Sequence, residues 1–276
     1  IKLDGNYPVG TDNMALGNTA LDSVQSGGNY NVAIGASAGT AITTGDANTA
    51  IGDVSLTANT TASNNVAVGS VAMNVNTTGG NNVAVGTQSL RNNTTASNNT
   101  AVGYQSSRDN TTGSTNASFG VNSLRNNTTG SDNVAVGEAA LLANTTASNN
   151  TAVGKLSLFD NTTGSSNVAV GKQALQENTT ASNNTAVGYQ SGYSNTTGAQ
   201  ITAVGHSALK LNTTGVYNNA FGYQALNDNT TGNYNAAFGS QALASNTTAS
   251  NNTAVGYQAG YNNTTGYSQT AVGYLA

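Results

Sequence analysis

The sequence predicts an all-β fold: a parallel β-solenoid, or β-roll, of 17-residue coils, each with a strand and then a short helical turn or bent second strand. Three observations lead there. An apolar residue followed by Gly recurs without loss of phase. Each column of the repeat keeps its own chemistry. Charged residues are confined to a few columns.

The phase comes first, because self-similarity at a fixed period defines a repeat architecture. With the residue before each Gly as slot zero, the series is Leu16, Ile34, Ile51, Val68, Val85, Val102, Phe119, Val136, Val153, Val170, Val187, Val204, Phe221, Phe238, Val255 and Val272. The first step is 18 residues and all later ones are 17. The odd step lies near Gly27-Gly28. Disordered low-complexity sequence has no reason to hold such a phase.

The strand is the next element. Asn-(Thr/Val)-Ala-Val is short, partly β-branched and strand-like. Slot zero is always apolar, so a dry interior row is expected through Val68, Val85, Val102, Phe119, Val136, Val153, Val170, Val187, Val204, Phe221, Phe238 and Val255. The residue before it is Ala in fifteen coils and Ser118 in the other, which points to close packing. The Gly after it suggests a corner needing positive φ or close backbone approach. Three residues before slot zero stands Asn in fourteen coils, with Ile201 and Gln269 the departures. Stacked Asn side chains in register can form a hydrogen-bonded ladder.

The second half of the coil follows. Slot +5 is a second apolar column, from Leu56 and Met73 to Leu243, preceded by Ala or Ser. Where Gly192 and Gly260 replace Leu, Tyr193 and Tyr261 follow, and their rings are expected to fill the vacated space. Lys172-Gln173-Ala174-Leu175-Gln176-Glu177 favours a helical turn by propensity. From slot +8 runs Asn-Thr-Thr, in thirteen consecutive coils from Asn59 to Asn263. It reads as a turn in which Asn tolerates a left-handed conformation.

Charges test this map. From Ile34 onward the fourteen charged residues stand only at slots +2, +6, +7, +12 and +13, as in Glu138 and Lys155, Arg91 and Arg125, and Asp160 and Glu177. Unpaired charges are almost never buried, so these slots mark the solvent face. Residues 1–33 are expected to be irregular coils or a joining segment, and 34–276 a regular solenoid. Sixteen coils at ~4.8 Å each give a length of roughly 75 Å. One coil buries about two large side chains, worth ~1.5–3 kcal/mol each, against ~1–2 kcal/mol per residue of backbone ordering. Stability must come from neighbours. The sequence begins at Ile1 and stops in mid-coil at Ala276, so a processed or partial product is expected, whose end continues or pairs with another subunit.

Composition narrows the function. Only 7% of residues are charged and the net charge is -4, so no basic face for nucleic acid is expected. No apolar run approaches the ~18–20 residues of a membrane span, so no membrane insertion is expected. The chain has no Cys, hence neither disulfides nor thiolate metal sites. That suits a secreted or surface protein. His206, the one His, occupies a slot that also accepts Tyr104, Lys155 and Glu138. Such a slot is a solvated surface position and not a catalytic one. No catalytic residue, cofactor or metal site is expected, and the chain is not expected to be an enzyme.

The coil from Asn252 to Gly260, with Asn263-Thr264-Thr265-Gly266 after it, resembles repeats of phage tail-fibre-like and bacterial surface-fibre proteins. The run Asn-Val-Ala-Ile-Gly at 31–35 is similar to the head repeat of trimeric autotransporter adhesins of the YadA type. The resemblance implies parallel β-rolls assembled as trimers.

The functional expectation is therefore a structural repeat protein. It would form the shaft of an extracellular fibre, on a virion or cell surface, partnered by its own copies in an end-to-end filament or a homotrimer, and adhesive or glycosylated. Sequons at Asn59, Asn76, Asn93, Asn110, Asn127, Asn144, Asn161, Asn178, Asn195, Asn212, Asn229, Asn246 and Asn263 are candidate glycan sites, although a glycan on every coil would be crowded. A second set lies at Asn98-Asn99-Thr100, Asn149-Asn150-Thr151, Asn183-Asn184-Thr185 and Asn251-Asn252-Thr253. The alternative is a ligand-binding solenoid, with a flat Thr array for ice or surface Tyr rings (Tyr104, Tyr189, Tyr223, Tyr257, Tyr274) for glycans.

Overall fold

In a computed structural model, the chain is a β-solenoid of 17-residue coils; the described residues are 10 and 12–276. It divides into two compact units, Ile1–Asn133 and Val134–Ala276. In the first, seven three-residue strands are described: β1 (Met14–Leu16), β2 (Val32–Ile34), β3 (Thr49–Ile51), β4 (Val66–Val68), β5 (Val83–Val85), β6 (Thr100–Val102) and β7 (Ala117–Phe119). In the second there are nine, β8 (Val134–Val136), β9 (Thr151–Val153), β10 (Val168–Val170), β11 (Thr185–Val187), β12 (Thr202–Val204), β13 (Asn219–Phe221), β14 (Ala236–Phe238), β15 (Thr253–Val255) and β16 (Thr270–Val272). Within each unit every strand pairs in parallel with the next, Ala on Ala in register, as Ala152 on Ala169 and Ala84 on Ala101. β1 joins the same ladder through Ala15 on Ala33. The extra residue of that first coil is absorbed before Gly28, whose carbonyl accepts from Asn13 Nδ2 at 2.7 Å.

The strand faces the opposite way from the sequence expectation. Ala33, Ala84, Ala152 and Ala186 are fully buried. Slot zero points outward: Phe119, Val136, Val170, Val187, Phe221, Phe238 and Val255 are exposed, and Val68, Val85, Val102, Val153 and Val204 are half-buried. The reason is geometric. Alternate side chains of a strand take opposite faces, so a three-residue strand can send only its middle residue inward. The interior is already filled by slot +5, which leaves room for a methyl group alone.

The core is therefore one large side chain in most coils, among small and polar ones. Leu56, Met73, Leu90, Leu124, Leu141, Leu158, Leu175, Leu209, Leu226 and Leu243 are buried at slot +5. Ala or Ser at slot +4 and the two Asn columns close around them. The Gly corner has both properties the sequence suggested. Gly154 has φ 131°, and a Cβ there would lie 2.6 Å from the carbonyl carbon and oxygen of Gly171 on the next coil.

No helix forms among the described residues. At Lys172–Glu177, Gln173 (φ 62°) and Leu175 (φ 48°) are left-handed, which interrupts any right-handed turn at every second residue. The two left-handed residues send alternate amides in opposite directions, while Ala174 N–H between them donates to Gly171 O at 3.2 Å within the coil. Gln173 N–H donates to Lys155 O on the coil before, 2.9 Å, and Leu175 N–H to Ser191 O on the coil after, 3.0 Å. A helix would spend those amides within itself; a stacked coil needs them for both neighbours. The Asn of Asn-Thr-Thr is not among the left-handed residues. That conformation falls instead to slots +3 and +5 and to the residue two before each strand, such as Asn98 (φ 62°).

The missing leucines are covered from inside. A Cβ on Gly192 would meet Leu175 Cδ2 at 3.0 Å and Ile201 Cδ1 at 3.7 Å. Ile201, which breaks the Asn column, is buried. It occupies the space expected for Tyr193, whose hydroxyl stays at the rim and accepts from Gln176 Nε2 at 3.4 Å. Gly39 is treated alike, by Ile42.

Candidate functional surface: the outer strand face and the charged rows

Two outward rows run along each unit's sheet. Slot −2 carries Val, Thr, Ala or Asn from β2 onward, and slot zero carries Val, Ile or Phe. Both are partly exposed along most of the strands, yet neither carries a charge in any coil. Phe221 and Phe238 stack along the slot-zero row, with centroids 5.0 Å apart and planes 7° apart.

Beside this face lies the slot +2 row. Lys155 Nζ pairs with Glu138 at 2.8 Å, and Lys172 Nζ lies 5.8 Å from the Tyr189 ring centroid. The Tyr189, His206 and Tyr223 rings follow, 5.1 and 5.4 Å apart. The one His is thus a member of an exposed aromatic stack. Tyr257 and Tyr274 stack at 5.3 Å. Within these stacks a neighbouring ring covers one of the faces that a sugar would use.

The Asn-Thr-Thr asparagines are interior. Asn59, Asn76, Asn93, Asn110, Asn127, Asn144, Asn161, Asn178, Asn195, Asn212, Asn229 and Asn246 are fully buried, and Asn263 is half-buried. Asn178 is typical: its Nδ2 donates to Ala181 O at 3.0 Å and to Asn161 Oδ1 at 2.8 Å. Both amide hydrogens are committed, so a glycan on Nδ2 is incompatible with the folded coil. The sequon expectation at these positions is corrected by their burial.

The threonines after them lie in bends and not in the sheet. The first donates its hydroxyl to the next coil, as Thr179 Oγ1 to Thr196 O at 3.1 Å. The two Thr rows therefore do not make a flat hydroxyl array on one sheet. Of the second sequon set, Asn98, Asn149, Asn183 and Asn251 are exposed.

No protein-family model and no curated protein matches the chain.

Slots +6 and +7 carry the remaining charge contrast. Arg108 forks onto Asp109, with Nε to Oδ1 at 2.8 Å and Nη2 to Oδ2 at 2.5 Å. That hydrogen bonding raises the Arg108 pKa above its ordinary value. In the second unit Asp160 and Glu177 share a slot on successive coils. Burial first, and then the Glu177 charge, raise the Asp160 pKa above the usual carboxylate value. Among the described residues no group of three or more His, Cys, Asp or Glu could hold a metal ion, and no helix is long and apolar enough to cross a membrane.

The Asn column three before slot zero was legible as a ladder from the fixed spacing, and Asn82 N–H donates to Asn65 Oδ1 at 3.0 Å; the Asn-Thr-Thr ladder was missed because that segment read as a turn. The outward slot-zero row was missed because absence of charge was equated with burial. Its signal was present: a strand bounded by Gly one residue later has only one inward position.

Proposed function

We propose that this chain is a structural repeat protein, the shaft of an extracellular fibre on a virion or cell surface, and that it associates laterally with copies of itself through the outer strand face. One observation carries the reading. The slot-zero row is exposed to the extent of 37% at Val187 and 42% at Phe238, yet it holds Leu, Ile, Val or Phe in all sixteen coils and never a charge. Strand propensity and cross-strand pairing favour such residues, but an open strand row still tolerates some Lys and Glu, as the neighbouring slot +2 does. A row that is covered does not.

The occupant that best suits the face is a second copy of this chain. Its pattern repeats coil by coil, so a face of the same spacing meets it in register along its length. The resemblance of the coil to surface-fibre repeats points the same way and supports the extracellular assignment. A homotrimer closes on such a lateral face, whereas an end-to-end filament joins terminal coils and can form beside it.

Light scattering after size exclusion tests this on the full chain. Val187→Lys/Phe221→Lys places cations on the outer row, where the side chains are already exposed and the coil interior is untouched. We expect an oligomer for the native chain and a monomer of unchanged circular dichroism for the variant. A native chain monomeric at about 100 μM, far above the Kd of a stable assembly, overturns the reading.

A further inference from the structure

The first unit carries a feature that a passive shaft does not require. Of the 7 cations in the chain, three stand in slot +6 of successive coils: Arg91, Arg108 and Arg125. The coils are directly hydrogen-bonded there, Asn92 N–H to Arg108 O and Asp109 N–H to Arg125 O, each 2.9 Å. Three guanidiniums thus follow one another at the ~4.8 Å spacing of paired strands.

Their compensation is incomplete. Asp109, at slot +7, is the single carboxylate beside the row in these three coils, and three donors already hold it. It takes both arms of Arg108, and its Oδ1 also accepts from Asn92 Nδ2 at 2.9 Å. Among the described residues no ion pair reaches Arg91 or Arg125. Arg91 is exposed and Arg125 half-buried. The Nε of Arg125 is buried without a hydrogen-bond partner, and a buried donor left unmatched is costly. Like charges stacked at this spacing repel, so the row calls for an anion.

We propose that Arg91, Arg108 and Arg125 form a ladder that binds oxyanions, namely sulfate or phosphate groups, free or borne in series on an acidic polymer. A guanidinium presents five donors in a planar fork matched to such groups. Arg108 spends two on Asp109 and keeps the rest. An oxyanion between Arg108 and Arg125 accepts from the guanidinium donors that Asp109 and burial leave free; a second lies between Arg91 and Arg108. The chain's net charge of -4 gives no long-range attraction, so recognition is local. The inference is independent of the self-association reading, since the strand face and slot +6 are different rows of the coil.

The test titrates the full chain with sodium sulfate, and separately with dextran sulfate against neutral dextran, at matched ionic strength. The variant is Arg91→Gln/Arg125→Gln. Its control, Lys172→Gln/Lys210→Gln, removes the same charge elsewhere. We expect the arginine variant to lose at least about tenfold in dextran sulfate affinity, as charge-assisted bidentate contacts dictate, and the lysine control to lose less than about twofold, as exposed charges do. Thermal melts by circular dichroism verify that both variants are folded. Sulfate binding alone, with competition against the polymer, assigns the ladder to the free anion. Polymer binding without measurable sulfate binding assigns it to a polyanion. Binding of neither, or equal losses in the two variants, overturns the proposal.

Discussion

The coil that starts at Val102 and the coil that starts at Val153 occupy the same seventeen slots with opposite solutions. At slot +5 the first has Ser107 and the second Leu158, both buried. Their backbones agree, with φ 47° and 48°. At the strand that follows, the first faces Ser118 and the second Ala169. In the serine coil the hydroxyls satisfy one another: Ser106 to Ser118 at 2.6 Å, Ser107 to Ser118 at 2.8 Å and Ser106 to Ser123 at 2.9 Å. In the leucine coil, Ser157 turns to Gly154 O at 2.8 Å. The path of the coil is therefore set by the Gly corner and the inter-coil amides. The plug can be exchanged if the residue opposite changes with it.

Leu158→Ser breaks the comparison most severely, because Ala169 supplies no hydroxyl. Deleting a buried Leu costs about 2–5 kcal/mol, and an unmatched hydroxyl adds about 1 kcal/mol or more. We expect about 3–6 kcal/mol in total. Denaturant unfolding measures the loss, and hydrogen exchange localises it to the coils around Leu158. Leu158→Ser/Ala169→Ser transplants the serine solution and recovers part of it. If the double variant is no better than the single, the serine pair is not a compensated unit.

The Asn ladder is what the two coils share. Asn110 and Asn161 are equally buried and each donates to its own coil and to the coil before. Asn110→Ala and Asn161→Ala each strand one Oδ1 and one amide on the neighbouring rungs, at about 1–3 kcal/mol per buried group, while Gly113 O and Gly164 O keep Asn99 and Asn150 as donors. Allowing for partial relaxation, about 2–4 kcal/mol is expected in both, by the same unfolding measurement. Unequal losses show that the plug and the ladder are coupled.

Ser118→Ala is milder. It leaves Ser106 and Ser107 without their common partner, and Ser106 can turn to a carbonyl as Ser157 does. A loss of about 1–2 kcal/mol is expected. In a double-mutant cycle with Ser107→Leu, whose side chain needs the methyl-sized Ala opposite, the coupling should exceed about 1 kcal/mol in favour of the pair. Additive effects remove the case for compensation.

These pairs also explain what was legible in the sequence. The coil period, the parallel stacking, the Gly corner and the Asn row three before slot zero are column properties, and a column repeated along the whole chain averages out local accident. The direction of slot zero and the covalent path from +2 to +7 are not column properties. Val next to Ala in a strand does not say which points inward, and Lys172–Glu177 carries helix propensity that the need to bond both neighbours overrides. The interior exceptions were readable only jointly. Gly192 with Ile201, Gly39 with Ile42 and Ser107 with Ser118 each look like noise in one column and become a rule when two columns are read together.

The surfaces of the same two coils differ as their interiors do, and here the effects are smallest. Asp109 is held by Arg108 and Asn92, whereas Asp160 has Glu177 as its charged neighbour and a raised pKa. For a carboxyl whose folded pKa lies above its unfolded one, the unfolded chain releases the proton first. Stability then falls as pH rises from the unfolded value, and the cost is complete above the folded one. Asp160→Asn removes that cost, so it should raise the melting temperature at pH 7 and change little at pH 3. Asp109→Asn has the opposite sign at pH 7, because it strips Arg108 of a partner worth about 0.2–1 kcal/mol in a part-exposed pair. Melting curves of both variants at the two pH values check this. Shifts of the same sign at pH 7 would mean that neighbouring charge does not distinguish the two aspartates.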